Sequence, residues 1–232
     1  MVHQNNSIEA AKKAAGHAGA MLVQSGMLIG LGTGSTAAFF IKALGRRCRE
    51  EGLKIRAIAT SQRSADQARE IGIPLEDEQN ITMLDLTIDG ADEIDPHKNM
   101  IKGGGGALFR EKLLARSSQE MIVLVDETKL VSSLGAFPVP VEISSFLYRS
   151  TLSKLHDQGY SGTLRLNRDS SFYLTDNGNY IVDINIKKPI VDPETHHKKL
   201  RDITGVIETG LFFKIAGRVV IGYQDGFAKV ET

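Results

Sequence analysis

The feature that most constrains the fold is an alternation of short apolar strands with helices, in which each strand runs into a polar or glycine-rich segment. Alternating strands and helices predict a parallel sheet with right-handed crossovers. Such sheets bind ligands beyond the carboxyl ends of their strands. We therefore expect one crevice lined by the five segments that follow strands, namely Gly32–Thr36, Thr60–Arg63, Asp89–Asp92, Lys102–Gly106 and Asp126–Lys129.

The pattern changes after Gly135, where the segment FPVP (137–140) marks a boundary. Beyond it we predict helices over 144–158 and 193–201, strands over 164–166, 172–174 and 180–186, and an Asn-Gly hairpin turn. The last strands, from residue 212 onward, are expected to return to the first sheet. The predicted fold is α/β: a Rossmann-like, mostly parallel sheet with helices on both faces, plus a smaller antiparallel α+β domain. The predicted bounds are 1–135 with 213–232 for the Rossmann-like domain and 136–212 for the smaller α+β insert.

Charge and cysteine content exclude several classes of protein. The 28 Lys and Arg residues balance the 28 Asp and Glu residues, so no overall field favours nucleic acid or an anionic membrane. Any anionic ligand must therefore be held by local geometry. The single cysteine, Cys48, rules out an internal disulfide and a thiolate metal cluster.

Location and metal content are also expected from residue patterns. The first 25 residues resemble an amphipathic helix and not a signal peptide, and no segment approaches the roughly 18 apolar residues that a membrane span needs. We expect a cytoplasmic protein. The six histidines are scattered, and the only neighbours, His196 and His197, point about 100° apart on a helix, so no metal site is expected.

The segment Gly32-Thr33-Gly34-Ser35-Thr36 joins a strand to a helix. The backbone N–H groups at such a helix start, with the hydroxyls of Ser35 and Thr36 beside them, form a site for a phosphate or another anion. A helix merely capped by Ser35 or Thr36 is the alternative. A Walker A loop is excluded because no lysine follows the glycines, and a dinucleotide is disfavoured because the next strand does not end in a carboxylate.

The segment Asp89–Asp95 carries four acidic residues in seven positions, directly after a strand. A solvated turn is the simple alternative. Gly90 and Ala91 keep the space between Asp89 and Asp92 small, which favours a ligand site. The segment lacks the glycine and the glutamate of an EF-hand loop, so calcium is not expected.

The segment KGGGGALFRE (102–111) contains four consecutive glycines between Lys102 and Glu111. An ordered glycine run usually marks a place where the backbone approaches a ligand or adopts positive φ values. A flexible loop is the alternative.

Taken together, these motifs resemble ribose-5-phosphate isomerase of the A type, and they occur in the order of that family across nearly the whole chain. The resemblance rests on residues 30–37, 89–93, 102–108, 110–112, 175–179 and 205–212. It implies the interconversion of ribose 5-phosphate and ribulose 5-phosphate in the non-oxidative branch of the pentose phosphate pathway. It also implies no metal or organic cofactor and a homodimer or homotetramer.

The resemblance assigns residue roles. Glu111 matches the general base, and Asp89, Asp92 and Lys102 complete the catalytic set. The phosphate end of the substrate is assigned to Thr33, Gly34, Ser35 and Thr36. Further substrate contacts are assigned to Asp89, Gly90, Ala91, Asp92, Lys102, Gly103, Gly104, Gly105 and Lys129.

The chemistry of the residues agrees with these roles. Aldose–ketose isomerisation through an enediolate needs a base to move a proton between C1 and C2, and positive charge or N–H donors where the oxyanion develops. Glu111 can be that base, and Lys102 and the glycine amides can be the donors. Asp89 and Asp92 can transfer protons between hydroxyls and help to open the furanose ring. A sugar-phosphate sensor and an amino-sugar phosphate deaminase are the alternative functions.

Overall fold

The computed structural model describes residues 2–232, and the surroundings of side chains from Ser7 onward. The helices within these residues are α1 (Val2–Met21), α2 (Ser35–Glu50), α3 (Gln62–Glu70), α4 (Leu108–Arg116), α5 (Tyr148–Asp157) and α6 (Pro193–Arg201). The strands are β1 (Leu28–Leu31), β2 (Arg56–Ala59), β3 (Leu84–Gly90), β4 (Glu93–Ile94), β5 (Met100–Ile101), β6 (Ser118–Asp126), β7 (Val139–Ile143), β8 (Gly162–Leu164), β9 (Tyr180–Ile184), β10 (Val206–Thr209), β11 (Leu211–Phe212), β12 (Ala216–Gly222) and β13 (Ala228–Glu231).

The central sheet has six strands in the order β13-β12-β6-β3-β1-β2. All neighbours in it pair in parallel except β13, which is antiparallel to β12. The mostly parallel sheet and the return of β12 and β13 to it are therefore confirmed, whereas Phe212, which was expected to return as well, lies in β11 outside this sheet. The carboxyl ends of β1, β2, β3 and β6 lie at the same edge of this sheet, as parallel pairing requires.

The core of this sheet explains why its strands form where they do. Every residue of β1 is buried, which is typical of a parallel strand covered on both faces. Helix α2 buries Phe40, Ile41 and Leu44 in the same apolar cluster as Ile29 and Leu31 of β1. Burial of each such side chain contributes about 1.5–3 kcal/mol. This packing fixes the start of α2 beside the end of β1.

Two smaller sheets are antiparallel. One has the order β10-β7-β9-β8, and the other has the order β11-β5-β4. The four-stranded sheet has its own apolar core, which includes Val141, Ile143, Val182 and Ile184. The expected antiparallel α+β part of the chain is thus confirmed.

One strand lies outside the sheet that the sequence predicts for it. Strand β5, which precedes the glycine run, pairs antiparallel with β4 and β11 and not with the central sheet. The prediction of five parallel strands was therefore wrong at this position. The physical reason is the short connection, because only residues 95–99 separate β4 from β5, whereas a parallel crossover needs about a dozen residues or more.

Two other predictions for the smaller sheets were incomplete. The segment 172–174 is not a strand, and Phe172 forms only an isolated bridge with Leu166. Strand β7 was missed because Pro138 and Pro140 indicate a boundary, yet Pro140 lies inside the strand and is buried. Proline in a strand is normally confined to edges and bulges, so local sequence argues against this strand.

The chain forms two compact units, each defined by the contacts inside it. The first unit contains the chain up to Ala91, Arg110–Leu130 and Ile215–Thr232, and the second contains Asp92–Phe109 and Val131–Lys214. Compactness does not test which segments fold as a domain, so the bounds 1–135 with 213–232 and 136–212 stay a prediction. None of the described helices has the length and apolar character needed to cross a membrane.

Candidate functional site

The glycine loop between β1 and α2 ends in a helix start without a side-chain cap. Gly34 is the N-cap residue, with φ of 109°, and no side chain accepts a hydrogen bond there. The alternative of a helix merely capped by Ser35 or Thr36 is therefore wrong. The first N–H groups of a helix lack partners within the helix, so this start is suited to an anion. Ser35 is exposed, while Thr36 is buried.

Asp89 supports this loop from the end of β3. Its side chain is fully buried, and Oδ1 accepts hydrogen bonds from the N–H of Thr33 at 2.9 Å and of Gly90 at 2.7 Å. A Cβ atom on Gly32 would lie 2.1 Å from the same oxygen, so only glycine allows the loop to approach the carboxylate. Asp89 thus shapes the loop in addition to the role that the sequence assigns to it.

We expect Gly32→Ala to displace Asp89 and to weaken phosphate binding about tenfold, with a loss of about 1–3 kcal/mol in the free energy of unfolding from overpacking. Calorimetry with inorganic phosphate and urea denaturation measure the two effects. Gly90→Ala is the matched control for unfolding, because its added carbon would come no nearer than 3.6 Å to the Leu124 carbonyl oxygen. Equal unfolding free energies for the two variants would contradict the close approach.

A cluster of hydroxyl groups holds the other side of the loop. The Thr33 hydroxyl lies 2.7 Å from Thr60 Oγ1 and 2.7 Å from Ser61 Oγ, and Ser64 Oγ donates to the Gly32 carbonyl at 2.7 Å. Sequence reasoning noted the segment that begins at Thr60 but missed Ser64 on α3. The cap motif at the start of α3, where Ser61 accepts from the Ser64 N–H, is the signal that could have indicated it.

Glu111 and Lys129 are the remaining charged candidates of the first unit. Glu111 lies in the first turn of α4, and its side chain is 2% exposed. Lys129 ends a 3₁₀ turn (Glu127–Lys129) directly after β6 and is half-buried. Asp126 Oδ1 caps this turn by accepting from the N–H and the hydroxyl of Thr128. The turn therefore fixes the backbone position of Lys129 near the carboxyl end of β6, which is a parallel strand.

In the second unit, Asp92 and Lys102 adjoin the glycine run. Asp92 Oδ2 accepts a hydrogen bond from the Gly104 N–H at 2.7 Å. The Lys102 side chain is 2% exposed, and its Nζ lies 5.4 Å from the centre of the Phe212 ring, within the range of a cation–π interaction. A buried lysine is costly unless it is compensated, which makes Lys102 a candidate functional residue.

The glycine run is an ordered turn and not a flexible loop. Gly103 and Gly106 have φ of 105° and 84°, which other residues rarely adopt, and the Gly106 N–H donates to the Gly103 carbonyl at 3.0 Å. A Cβ atom on Gly104 would lie 2.6 Å from Asp92 Oδ1. Gly103, Gly104 and Gly106 therefore each favour glycine for a physical reason, which accounts for three of the four consecutive glycines.

Two motifs that carry the family resemblance stabilise the fold. The buried carboxylate of Glu93 accepts from the N–H groups of Gly135 at 2.8 Å and Phe137 at 2.6 Å. Three residues of the turn 175–179, namely Thr175, Asn177 and Asn179, donate hydrogen bonds to Oε1 of Glu142, which is buried on β7. These residues therefore order loops of the second unit.

The predicted site residues fall into two sets. The first unit joins the loop Gly32–Thr36 to Asp89 through hydrogen bonds, and it also holds Gly90, Ala91, Glu111 and Lys129. The second unit joins Asp92 to the glycine run and holds Lys102 at its start. A joint site formed by both sets stays a prediction.

This fold and this loop define an α/β protein with a glycine-rich loop and an uncapped helix start at the carboxyl end of its first parallel strand. Residues 56–226 match the family model of ribose 5-phosphate isomerase A (phosphoriboisomerase A). The chain belongs to the ribose 5-phosphate isomerase A family, which confirms the resemblance seen in its motifs.

Individual relatives agree with this assignment. Ribose-5-phosphate isomerase A of Protochlamydia amoebophila is 61% identical over 220 residues, which cover 95% of this chain and 94% of the relative. The structure of ribose 5-phosphate isomerase A from Methanocaldococcus jannaschii is 39% identical, with a TM-score of 0.89 and coverage of 96% and 98%. A D-ribose-5-phosphate isomerase in complex with phospho-erythronic acid is 36% identical, with a TM-score of 0.90 and coverage of 97% and 98%.

Proposed function

We propose that this protein interconverts D-ribose 5-phosphate and D-ribulose 5-phosphate through an enediolate, with Glu111 as the general base. The observation that carries the proposal is the buried carboxylate of Glu111, which lies in the first turn of the helix that follows the ordered glycine turn. A carboxylate can accept the proton from C2 of the aldose and return it to C1. The names of the relatives support this reaction.

We propose that Lys102 and the N–H groups of the glycine run stabilise the negative charge that develops on the substrate. The enediolate carries charge on the oxygens of C1 and C2, and donors fixed in advance stabilise such charge most effectively. Lys102 is held in a buried position, and Gly103–Gly105 lie in a turn of defined geometry. Both therefore meet the requirement that donors need not reorganise during the reaction.

We propose that the phosphate group of the substrate binds at the start of α2, which has no side-chain cap. The N–H of Thr33 is already used by Asp89, so the donors for phosphate are the backbone at Gly34, Ser35 and Thr36 and the hydroxyls of the last two. Lys129 is assigned as a further substrate contact. Anchoring the phosphate determines which carbon atoms reach Glu111.

We assign ring opening to the carboxylates of Asp89 and Asp92, with Gly90 and Ala91 lining the substrate between them. One oxygen of each carboxylate accepts backbone N–H groups, which orients the carboxylate. An oriented carboxylate can accept the proton of the anomeric hydroxyl and pass it to the ring oxygen.

The ligand of one structural relative fits the same chemistry. Phospho-erythronic acid carries a phosphate and a planar carboxylate, and the two oxygens of that carboxylate resemble the two oxygens of an enediolate. We therefore propose that this protein binds a phosphosugar in the same manner, without nucleic acid or membrane. The homodimer or homotetramer and the cytoplasmic location stay predictions of the sequence.

The pure protein is expected to convert ribose 5-phosphate in an assay that detects ribulose 5-phosphate, with a turnover of about 1–10³ s⁻¹ that is typical of enzymes. Binding without turnover would instead favour a sugar-phosphate sensor. Release of ammonia from glucosamine 6-phosphate would favour an amino-sugar phosphate deaminase. Either result would contradict the proposed isomerase.

A further inference from the structure

Arg165 is a largely buried arginine of the second unit that directly follows β8. Its side chain is 14% exposed. Its Nη1 atom donates hydrogen bonds to the carbonyl of Gly103 at 2.8 Å and to the carbonyl of Gly104 at 3.2 Å. One guanidinium nitrogen thus holds two successive carbonyl groups of the glycine run.

Asp183 on β9 orients this guanidinium. Arg165 Nε donates to Asp183 Oδ2 at 2.9 Å, and Nη2 donates to Asp183 Oδ1 at 2.5 Å. The bidentate pair occupies one edge of the planar group and leaves Nη1 directed at the glycine carbonyls. Lysine cannot replace this arrangement, because an ammonium group lacks the planar fork.

The peptide group between Gly103 and Gly104 is fixed at both ends. Its carbonyl accepts from Arg165, and its N–H donates to Asp92 Oδ2 at 2.7 Å. The Gly106 N–H also returns to the Gly103 carbonyl. Among the described residues, no acceptor takes the N–H of Gly103 or Gly105. The turn therefore directs the carbonyls of Gly103 and Gly104 to Arg165 and leaves the amides of Gly103 and Gly105 without an acceptor among these residues.

We propose that Arg165, oriented by Asp183, is a positioning residue that fixes the peptide planes of the glycine run so that its open amides meet the reacting oxygens of the substrate. This inference rests on the proposed isomerase function. Glycine offers no side chain to restrain its own backbone, so the orientation of these peptide groups depends on hydrogen bonds from outside the run. Arg165 acts through those groups and makes no contact with the substrate itself.

Arg165→Met tests the proposal, with Arg168→Met as the matched control. Arg168 lies three residues further on, is exposed, and forms no hydrogen bond or ion pair with any residue that the structure describes. Asp183→Asn provides a second route to the same effect, since it weakens the pair but keeps the arginine. Amide hydrogen exchange of the 102–109 segment, measured by mass spectrometry, reports on the glycine run even without enzymatic activity.

We expect Arg165→Met to lower kcat by about 10- to 100-fold, because a displacement of about 1 Å in a reacting geometry has effects of this size. The inhibition constant of phospho-erythronic acid should rise by a similar factor, while the dissociation constant of inorganic phosphate stays within about twofold. Exchange in the 102–109 segment should accelerate. Asp183→Asn should show the same pattern with a smaller effect.

A purely structural role would lower the amount of folded protein without changing either binding constant of the folded fraction. That result, or a kcat and exchange rate equal to those of Arg168→Met, would overturn the proposal. Faster exchange with unchanged kcat would also overturn it. If the wild-type protein does not convert ribose 5-phosphate, the isomerase function fails, and the exchange experiment still decides whether Arg165 orders the glycine run.

Discussion

Glu111→Gln is expected to lower kcat by about 10²- to 10⁴-fold, because glutamine keeps the shape of the side chain but cannot accept the proton from the substrate carbon. The side chain is 2% exposed, so water cannot readily take over the role of the base. Steady-state kinetics with ribose 5-phosphate measure kcat and KM separately. A loss confined to kcat identifies an interaction made in the transition state.

Binding of phospho-erythronic acid should survive this substitution within about tenfold, since the phosphate loop and the glycine run are unaltered. Glu70→Gln is the matched control, because Glu70 is an exposed glutamate at the end of α3. A kcat for Glu111→Gln close to that of the control would remove Glu111 from the role of base. A large rise in KM with unchanged kcat would instead indicate a residue that only binds substrate.

Lys102→Met is expected to lower kcat by about 10²- to 10³-fold, the range seen when one donor to a developing oxyanion is removed. Methionine fills the volume of the lysine stem beside the Phe212 ring but provides neither charge nor N–H donors. The effect on phosphate binding should be small, because the phosphate is assigned to the start of α2. Single-turnover kinetics separate the chemical step from product release.

Lys154→Met on α5 is the control for this variant, since Lys154 is exposed and its replacement removes an equal charge. Circular dichroism verifies that both variants are folded. Full activity of folded Lys102→Met would exclude Lys102 from oxyanion stabilisation. If Lys102→Met loses both its activity and its binding of inorganic phosphate, the role of Lys102 would instead be to bind the phosphate end of the substrate.

The central sheet could be predicted from the sequence because its signals are local. Apolar runs such as Leu28–Leu31 are bounded by glycines and polar residues, and helical periodicity resumes directly after Ser35. The loop between β1 and α2 follows from the same pattern, since a glycine turn between a strand and a helix can leave the first helix N–H groups available to a ligand. The acidic residues at the end of β3 and beyond it, and the segment after β6 that contains Lys129, were likewise recognisable as ends of strands.

Prediction failed where the local signal was weak or misleading. Strand β5 contains only two residues, and one of its two partners is formed by Leu211 and Phe212, more than 100 positions later in the chain. Strand β7 contains a buried proline, which local rules exclude from most strands. Such elements are stabilised by tertiary pairing and not by propensity.

The supports of the candidate site were also invisible in the sequence. Arg165 lies 62 residues from the carbonyl that it holds, and Ser64 lies 32 residues from the Gly32 carbonyl. No spacing rule links such residues, because their contacts arise only after the chain has folded. An arginine near a hairpin and a serine in a helix are ordinary residues until their partners are known.

The sequence by itself determined the class of fold, the family and the chemical types of the site residues, because strand ends, glycine turns and charged side chains are encoded by neighbours along the chain. Only the tertiary structure decided how the loop and the glycine run are held. Gly32 approaches Asp89, and Arg165 fixes Gly103 and Gly104, through contacts between distant segments. The physical reason is that side-chain type is local information, whereas the orientation of a peptide group depends on whichever donors and acceptors folding brings to it.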